Sequence, residues 1–147
     1  MGDVVCAVSA ERSRALRRAV LRPSETLAEV AGREVPGTHY IGVERDGELV
    51  AIGWTREEGG AELWRVGAMG TAPEHRGQGL AATVLAALTE YASEHGARRV
   101  WCNARLPAIG FYEGQGWSIE SDEVFDVPGA GPHKRMSREL AVASGDG

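Results

Sequence analysis

A chain of 147 residues, 43% hydrophobic and 25% charged, is long enough for one domain that buries roughly two-thirds of the surface its unfolded form exposes. A net charge of -5 argues against nucleic acid as the main partner, because phosphate binding needs clustered positive charge, and no apolar stretch approaches membrane-spanning length. Two cysteines, Cys6 and Cys102, each in an apolar run, support neither a disulfide framework nor a metal site of repeated Cys/His spacing, and fit a reducing, cytoplasmic setting.

The opening "MGDVVCAVSA" has no basic leader and no long apolar core, so the chain is expected to act where it is made. Its β-branched run predicts a strand, after which Ser9 caps a helix over Glu11 to Arg22 that Pro23 closes. Ala15, Leu16, Ala19 and Val20 read as the apolar side of that helix. Arg12, Arg14, Arg17, Arg18 and Arg22 then read as a solvated face, or else as a patch for an acidic surface. A short helical piece follows around Ser24 to Val30. "THYIGVE" and "LVAIGWT" flank Asp46-Gly47, a hairpin signal because both positions tolerate positive φ. After the "EEGG" turn, "AELWRVGAMGT" predicts a third antiparallel strand, with irregularities at Gly67 and Gly70.

From Leu80 to His95, Leu80, Val84, Leu85, Leu88 and Tyr91 recur at helical spacing, and Gly96 supplies the stop. "RRVWCNA" reads as a buried strand, Pro107 to Glu113 as a short helix, and "WSIESDEVFDV" and "HKRMSREL" as closing strands. "ASGDG" at the end reads as a loose tail.

Between the third strand and the long helix lies "TAPEHRGQGLAAT". A glycine-rich turn at a helix N-terminus aims several backbone N–H groups outward, and a diphosphate suits such a row of donors. Gly77 and Gly79 let a phosphate approach the main chain, and Arg76 adds a positive charge. Gly77, Gly79 and Ala82 also satisfy the dinucleotide fingerprint G-x-G-x-x-G/A, but antiparallel hairpin strands precede this turn, which is the wrong order of elements for that fold. The run Arg76, Gly77, Gln78, Gly79, Leu80, Ala81 resembles instead the coenzyme A signature of the GNAT (GCN5-related N-acetyltransferase) superfamily. The Asp46-Gly47 hairpin, "AMGTAPEHRGQGLA", the long helix, "VWCNAR" and "AIGFYEGQGW" follow one another in that family's order, and the ending "FDVPGAGPHKRMSREL" looks like that of small bacterial members.

The resemblance implies an α/β (α+β) fold: a mixed, mostly antiparallel sheet with a splayed central strand pair, flanked by helices. Residues 1–142 would form one acetyltransferase domain, with 143–147 as tail. It implies acetyl-CoA as the acetyl donor and an amine as acceptor, by direct attack in a ternary complex. Backbone groups of Met69, Gly70 and Thr71 would lie along the pantetheine arm, with the Met69 N–H polarising the acetyl carbonyl, and Arg76 to Ala82 would wrap the pyrophosphate.

A second "GQG" stands at Gly114 to Gly116, where it closes a helix. In the resembling family the tyrosine of the preceding "FY" pair, here Tyr112, sits beside the coenzyme A sulfur; a phenol there can protonate the leaving thiolate. Without the motif, Phe111 and Tyr112 read as one aromatic in the core and one at the edge of a cleft. For the base that takes the amine's proton, Glu62, Glu123 and His133 are candidates beside a water path; His133 is preferred for its ordinary pKa range. Arg105 stands where many family members carry an asparagine that contacts the cofactor or its bound water, and Asn103 is the substitute. Cys102 reads as core, since direct transfer needs no thiol. The expected partner is a small-molecule or peptide amine, not nucleic acid or a membrane, and a homodimer is left open. A non-catalytic acyl-CoA-binding module of the same fold and an NAD(P)-binding oxidoreductase are the rival readings.

Overall fold

The computed structural model describes residues 2–60 and 62–141. In chain order the elements are β1 (Val4–Val8), α1 (Ala10–Leu21), α2 (Leu27–Ala31), β2 (His39–Arg45), β3 (Glu48–Glu57), β4 (Leu63–Thr71), α3 (Leu80–Glu94), β5 (Arg99–Arg105), α4 (Ile109–Gly114), β6 (Ser118–Ile119), β7 (Phe125–Val127) and β8 (Gly131–Glu139). The strands form one sheet in the order β1-β2-β3-β4-β5-β8-β6, with β7 also paired to β8. Every pairing is antiparallel except that of β4 with β5. The expected tail, 143–147, lies outside the described residues.

Local chemistry explains the boundaries. Ser9 caps α1 by accepting from Arg12 N at 3.1 Å. Thr26 and Glu29 form a capping box (2.9 and 3.1 Å), so α2 starts later than Ser24. Asp46 (φ 55°) and Gly47 (φ 80°) both take left-handed conformations, as a two-residue hairpin requires.

One face of the sheet is covered by α3, whose Val84, Leu85 and Leu88 pack with Val43, Val66, Val100 and Met136, all nearly inaccessible to solvent. Truncating such a residue to alanine costs about 2–5 kcal/mol. The other face holds Val8, Tyr40 and Ile52, with Leu16 of α1 packed against them.

The side that α1 turns inward differs from the expectation. Ala15 and Ala19 are exposed, whereas Ser13 and Arg17 are buried. A buried guanidinium is tolerable only when fully engaged. Arg17 donates from Nε to Ser13 Oγ at 2.9 Å and from Nη2 to Ala10 O at 3.3 Å, pairs with Glu34, and lies 5.0 Å from the centre of the Tyr40 ring. The basic cluster is therefore not simply a solvated face. Arg12 pairs with Glu44 and Arg14 with Glu34, and Arg18 donates to Glu25 O.

The irregularity in β4 falls at Ala68, a non-glycine residue with φ 51°, opposite a register shift between Ile52 and Trp54 of β3. The flanking Gly67 answers crowding: a Cβ there would sit 2.3 Å from Trp54 Cζ2. Already before this bulge β4 and β5 part. Their pairing covers Leu63, Trp64 and Arg65 against Arg99, Val100 and Trp101 and then stops, although β4 runs on to Thr71 and β5 to Arg105. This is the splayed pair that the family resemblance implied.

Candidate active site

A cavity of about 480 Å³ opens where β4 and β5 separate. Two strands that stop pairing leave a slot through the sheet, and helices on both faces wall it. From the α3/α4 side come Ala81, Phe111 and Tyr112; from the α1/α2 side come Arg17, Leu21, Arg22 and Val30. Of the residues singled out in the sequence, Met69, Gly70, Thr71, Ala81, Asn103, Tyr112 and His133 all line it.

Arg76, Gly77, Gln78, Gly79, Leu80 and Ala82 do not line it. They form the turn and first residues of α3 that lead into it at Ala81. The Leu80 side chain goes to the core, while residues 76–79 are exposed. Gly77 (φ 76°) and Gly79 (φ 79°) are left-handed, and a Cβ at either would meet nothing within 4 Å. Crowding therefore does not explain these two glycines; backbone conformation does. The first intrahelical bond runs from Thr83 N to Gly79 O at 3.1 Å, so the N–H groups of Leu80, Ala81 and Ala82 precede it, and no side chain caps them. The turn is anchored by Arg45, which contacts Gln78 Oε1 and His75 Nδ1 and pairs with Asp3, and by Arg76 Nε donating to Thr71 O at 3.2 Å. These observations fit a phosphate-bearing ligand: open approach, bare donors and a braced loop.

Tyr112 sits on α4, which a Schellman motif ends: Trp117 N donates to Tyr112 O at 3.0 Å and Gly116 N to Glu113 O at 3.1 Å, with Gly116 at φ 91°. Trp117 is buried, and its ring meets that of Tyr112 edge-on at 5.3 Å. Phe111 and Tyr112 both reach the cavity, and Tyr112 is the more buried of the two. Burial, then the neighbouring Cys102, pushes the phenol pKa well above its ordinary value, so Tyr112 stays protonated. Cys102 itself is buried, its thiol pushed up to about 12 chiefly by desolvation, which leaves it no nucleophile.

His133 is buried on β8, opposite Arg105 of β5. Its Nδ1 lies 2.8 Å from Gly131 O. A carbonyl can only accept, so Nδ1 carries the proton and Nε2 of the neutral ring is the basic nitrogen. The other two base candidates are not brought here. Glu62 is exposed and pairs with Arg98 at 3.2 Å. Glu123 lines a second hollow with Trp101, Glu120 and Arg135, which Asn103 also borders. What the sequence reading missed is the other wall: Arg17, Arg22, Arg33, Arg56, Arg65 and Arg105, with Trp54 among them. Only the basic spacing of α1 and the departure at Arg105 hinted at it.

A mostly antiparallel sheet, split at its one parallel pair over a glycine-rich helix start, is the arrangement that the family resemblance implied for a coenzyme A-dependent acyltransferase. The Acetyltransferase (GNAT) family model matches residues 8–117, and the chain belongs to that family. Its reaction is the family's: transfer of the acetyl group of acetyl-CoA to an amine. The "Uncharacterized N-acetyltransferase YitI" of Bacillus subtilis is 31% identical over 143 residues, 92% of this chain and 95% of that protein. The fold matches an aminoglycoside 6'-N-acetyltransferase complexed with coenzyme A at a TM-score of 0.79, with 13% identity, over 94% of this chain and 97% of that one. It also matches N-acetylglutamate synthase from Neisseria gonorrhoeae, complexed with coenzyme A and N-acetyl-glutamate, at 0.73 and 15% identity; there 96% of this chain spans 36% of the other. No helix among the described residues is long and apolar enough to cross a membrane.

Proposed function

We propose that acetyl-CoA lies with its pyrophosphate on the turn from Arg76 to Ala82 and its pantetheine arm along Met69, Gly70 and Thr71, and that a cytoplasmic amine attacks the thioester directly. The observation that carries this reading is the convergence of Tyr112 and His133 on one cavity at the opening between β4 and β5. His133 Nε2 accepts the proton that the amine nitrogen loses as the C–N bond forms. The C–S bond breaks, and Tyr112 protonates the departing sulfur. A phenol with a raised pKa is a weaker acid, but the burial that raises it also makes a neighbouring thiolate more basic, as Cys102 illustrates. Burial thus moves donor and acceptor in the same direction, and the phenol proton passes to the sulfur as negative charge builds on it.

The test is acetyl-CoA-dependent thiol release over an amine library. Tyr112→Phe is expected to keep its affinity for coenzyme A and to lose about 10²–10⁴ in kcat. His133→Gln is expected to slow turnover by about 10²-fold, also without loss of coenzyme A affinity. Wild-type kcat in both variants would sink the assignment of acid and base.

A further inference from the structure

The acceptor's side of the cavity has a charge character opposite to that of the chain. Net charge is -5, yet Arg17, Arg22, Arg33, Arg56, Arg65 and Arg105 line the cavity, and no Asp or Glu does among the described residues. Four of the six have carboxylate partners. Arg17 pairs with Glu34, Arg33 holds Glu25 (Nε to Oε1 2.9 Å), and Arg56 and Arg65 share Glu58 at 2.7 and 3.1 Å.

Arg22 and Arg105 differ. Arg22 donates from one terminal nitrogen to Pro128 O at 2.7 Å, and Arg105 from one to Leu21 O at 3.3 Å; neither has a carboxylate partner among the described residues. Both are half-buried; burial and then Arg33 pull the Arg22 pKa below its ordinary value, Glu25, itself held by Arg33, opposes them at longer range, and Arg105 adds to the lowering. A helix C-terminus attracts a cation, and Leu21 O belongs to one. That accounts for one guanidinium facing water, not for two facing a walled cavity already bordered by four others. Two half-buried guanidiniums on one cavity, neither in a direct ion pair among the described residues, leave N–H donors that an anionic ligand can use. Their position is informative as well: Arg105 is the cross-strand partner of His133, and Arg22 bridges α1 to the β7–β8 turn beside Val127 and Ala130 of the cavity wall.

Resting on the function proposed above, we infer that the acceptor is a small amine carrying its own anionic group, a carboxylate or a phosphate, seated between Arg22 and Arg105 with its nitrogen toward His133. Guanidinium forks match both anions, and a cationic wall repels polyamines and aminoglycosides.

Thiol release is measured with the α-amino acids and O-phosphorylethanolamine against spermidine, kanamycin and tyramine. The highest kcat/KM is expected for an anionic amine, and the better of the carboxylate and phosphate arms identifies the group. With that amine, Arg22→Gln and Arg105→Gln each raise the acceptor KM by about 10–100-fold while kcat changes little, and Arg22→Lys recovers part of the loss. A cationic or uncharged amine as best substrate, no turnover of any anionic amine, or an unchanged KM in both glutamine variants overturns the inference. Calorimetry of coenzyme A on the wild-type enzyme separates the two levels: absence of binding defeats the proposed function itself, whereas binding with acetylation of a cationic amine defeats only the acceptor class.

Discussion

The two walls of the cavity were built by different kinds of sequence signal. On the α3/α4 side, backbone does the work: a left-handed glycine turn, bare N–H groups at a helix start, and one tyrosine held by a helix stop. On the α1/α2 side, side chains do it, six arginines drawn from α1, the loop after α2, β3, β4 and β5. Backbone requirements constrain residue type at consecutive positions, so they leave a motif. A charge lining assembled from five places in the chain leaves none.

The contrast can be tested from the largest expected effect downward. Gly79→Trp should weaken coenzyme A binding by more than about 100-fold, read by calorimetry, because a non-glycine residue resists φ 79° and an indole would project into the open approach to the turn. A normal melting temperature alongside that loss would confirm that the fold survives. On the other wall, Glu34→Gln should destabilise the protein by about 2 kcal/mol in denaturant unfolding, since buried Arg17 loses its carboxylate. Arg14, then Arg17, holds the Glu34 carboxyl down to about 2 from an ordinary 4.5. The folded pKa is the lower one, so this contribution is complete above about 4.5 and fades as pH falls toward 2. The wild-type unfolding midpoint should therefore decline over that window, and more steeply than that of Glu34→Gln. The smallest effect belongs to Gly116→Ala, which puts a Cβ at φ 91° in the helix stop: about 1 kcal/mol of stability, with a fall in kcat if Tyr112 shifts.

Much of the architecture was readable from the residues. Periodicity placed α3, the Asp46-Gly47 turn signal its hairpin and a short apolar run β5, and motif order implied the split sheet. Distance along the chain hid the rest. The register shift opposite Ala68 depends on β3 and β4 together, so the sequence pointed to the adjacent glycines and not to the residue with the unusual φ. Arg17 looked like surface because nothing within α1 reveals that Glu34 and Tyr40 converge on it. Glu62 and Glu123 were reasonable bases by chemistry alone, and only folding separates them from the cavity that His133 borders.

The identical triplets at 77–79 and 114–116 show the same principle in small compass. The first opens a helix with its two glycines facing open space, and the second closes one against buried Trp117. Their shared letters serve opposite helix ends, one leaving donors free and the other satisfying carbonyls.

The central claim is that the cavity is divided, with the cofactor held by the backbone of the α3/α4 side and the arginines of the other side reserved for the acceptor. The most direct test is the coenzyme A dissociation constant of the double variant Arg22→Gln/Arg105→Gln, measured by calorimetry beside wild type. The account predicts agreement within about twofold, since a phosphate held on backbone N–H groups does not depend on those guanidiniums. A loss comparable to that of Gly79→Trp would contradict it, because the arginines would then be cofactor ligands.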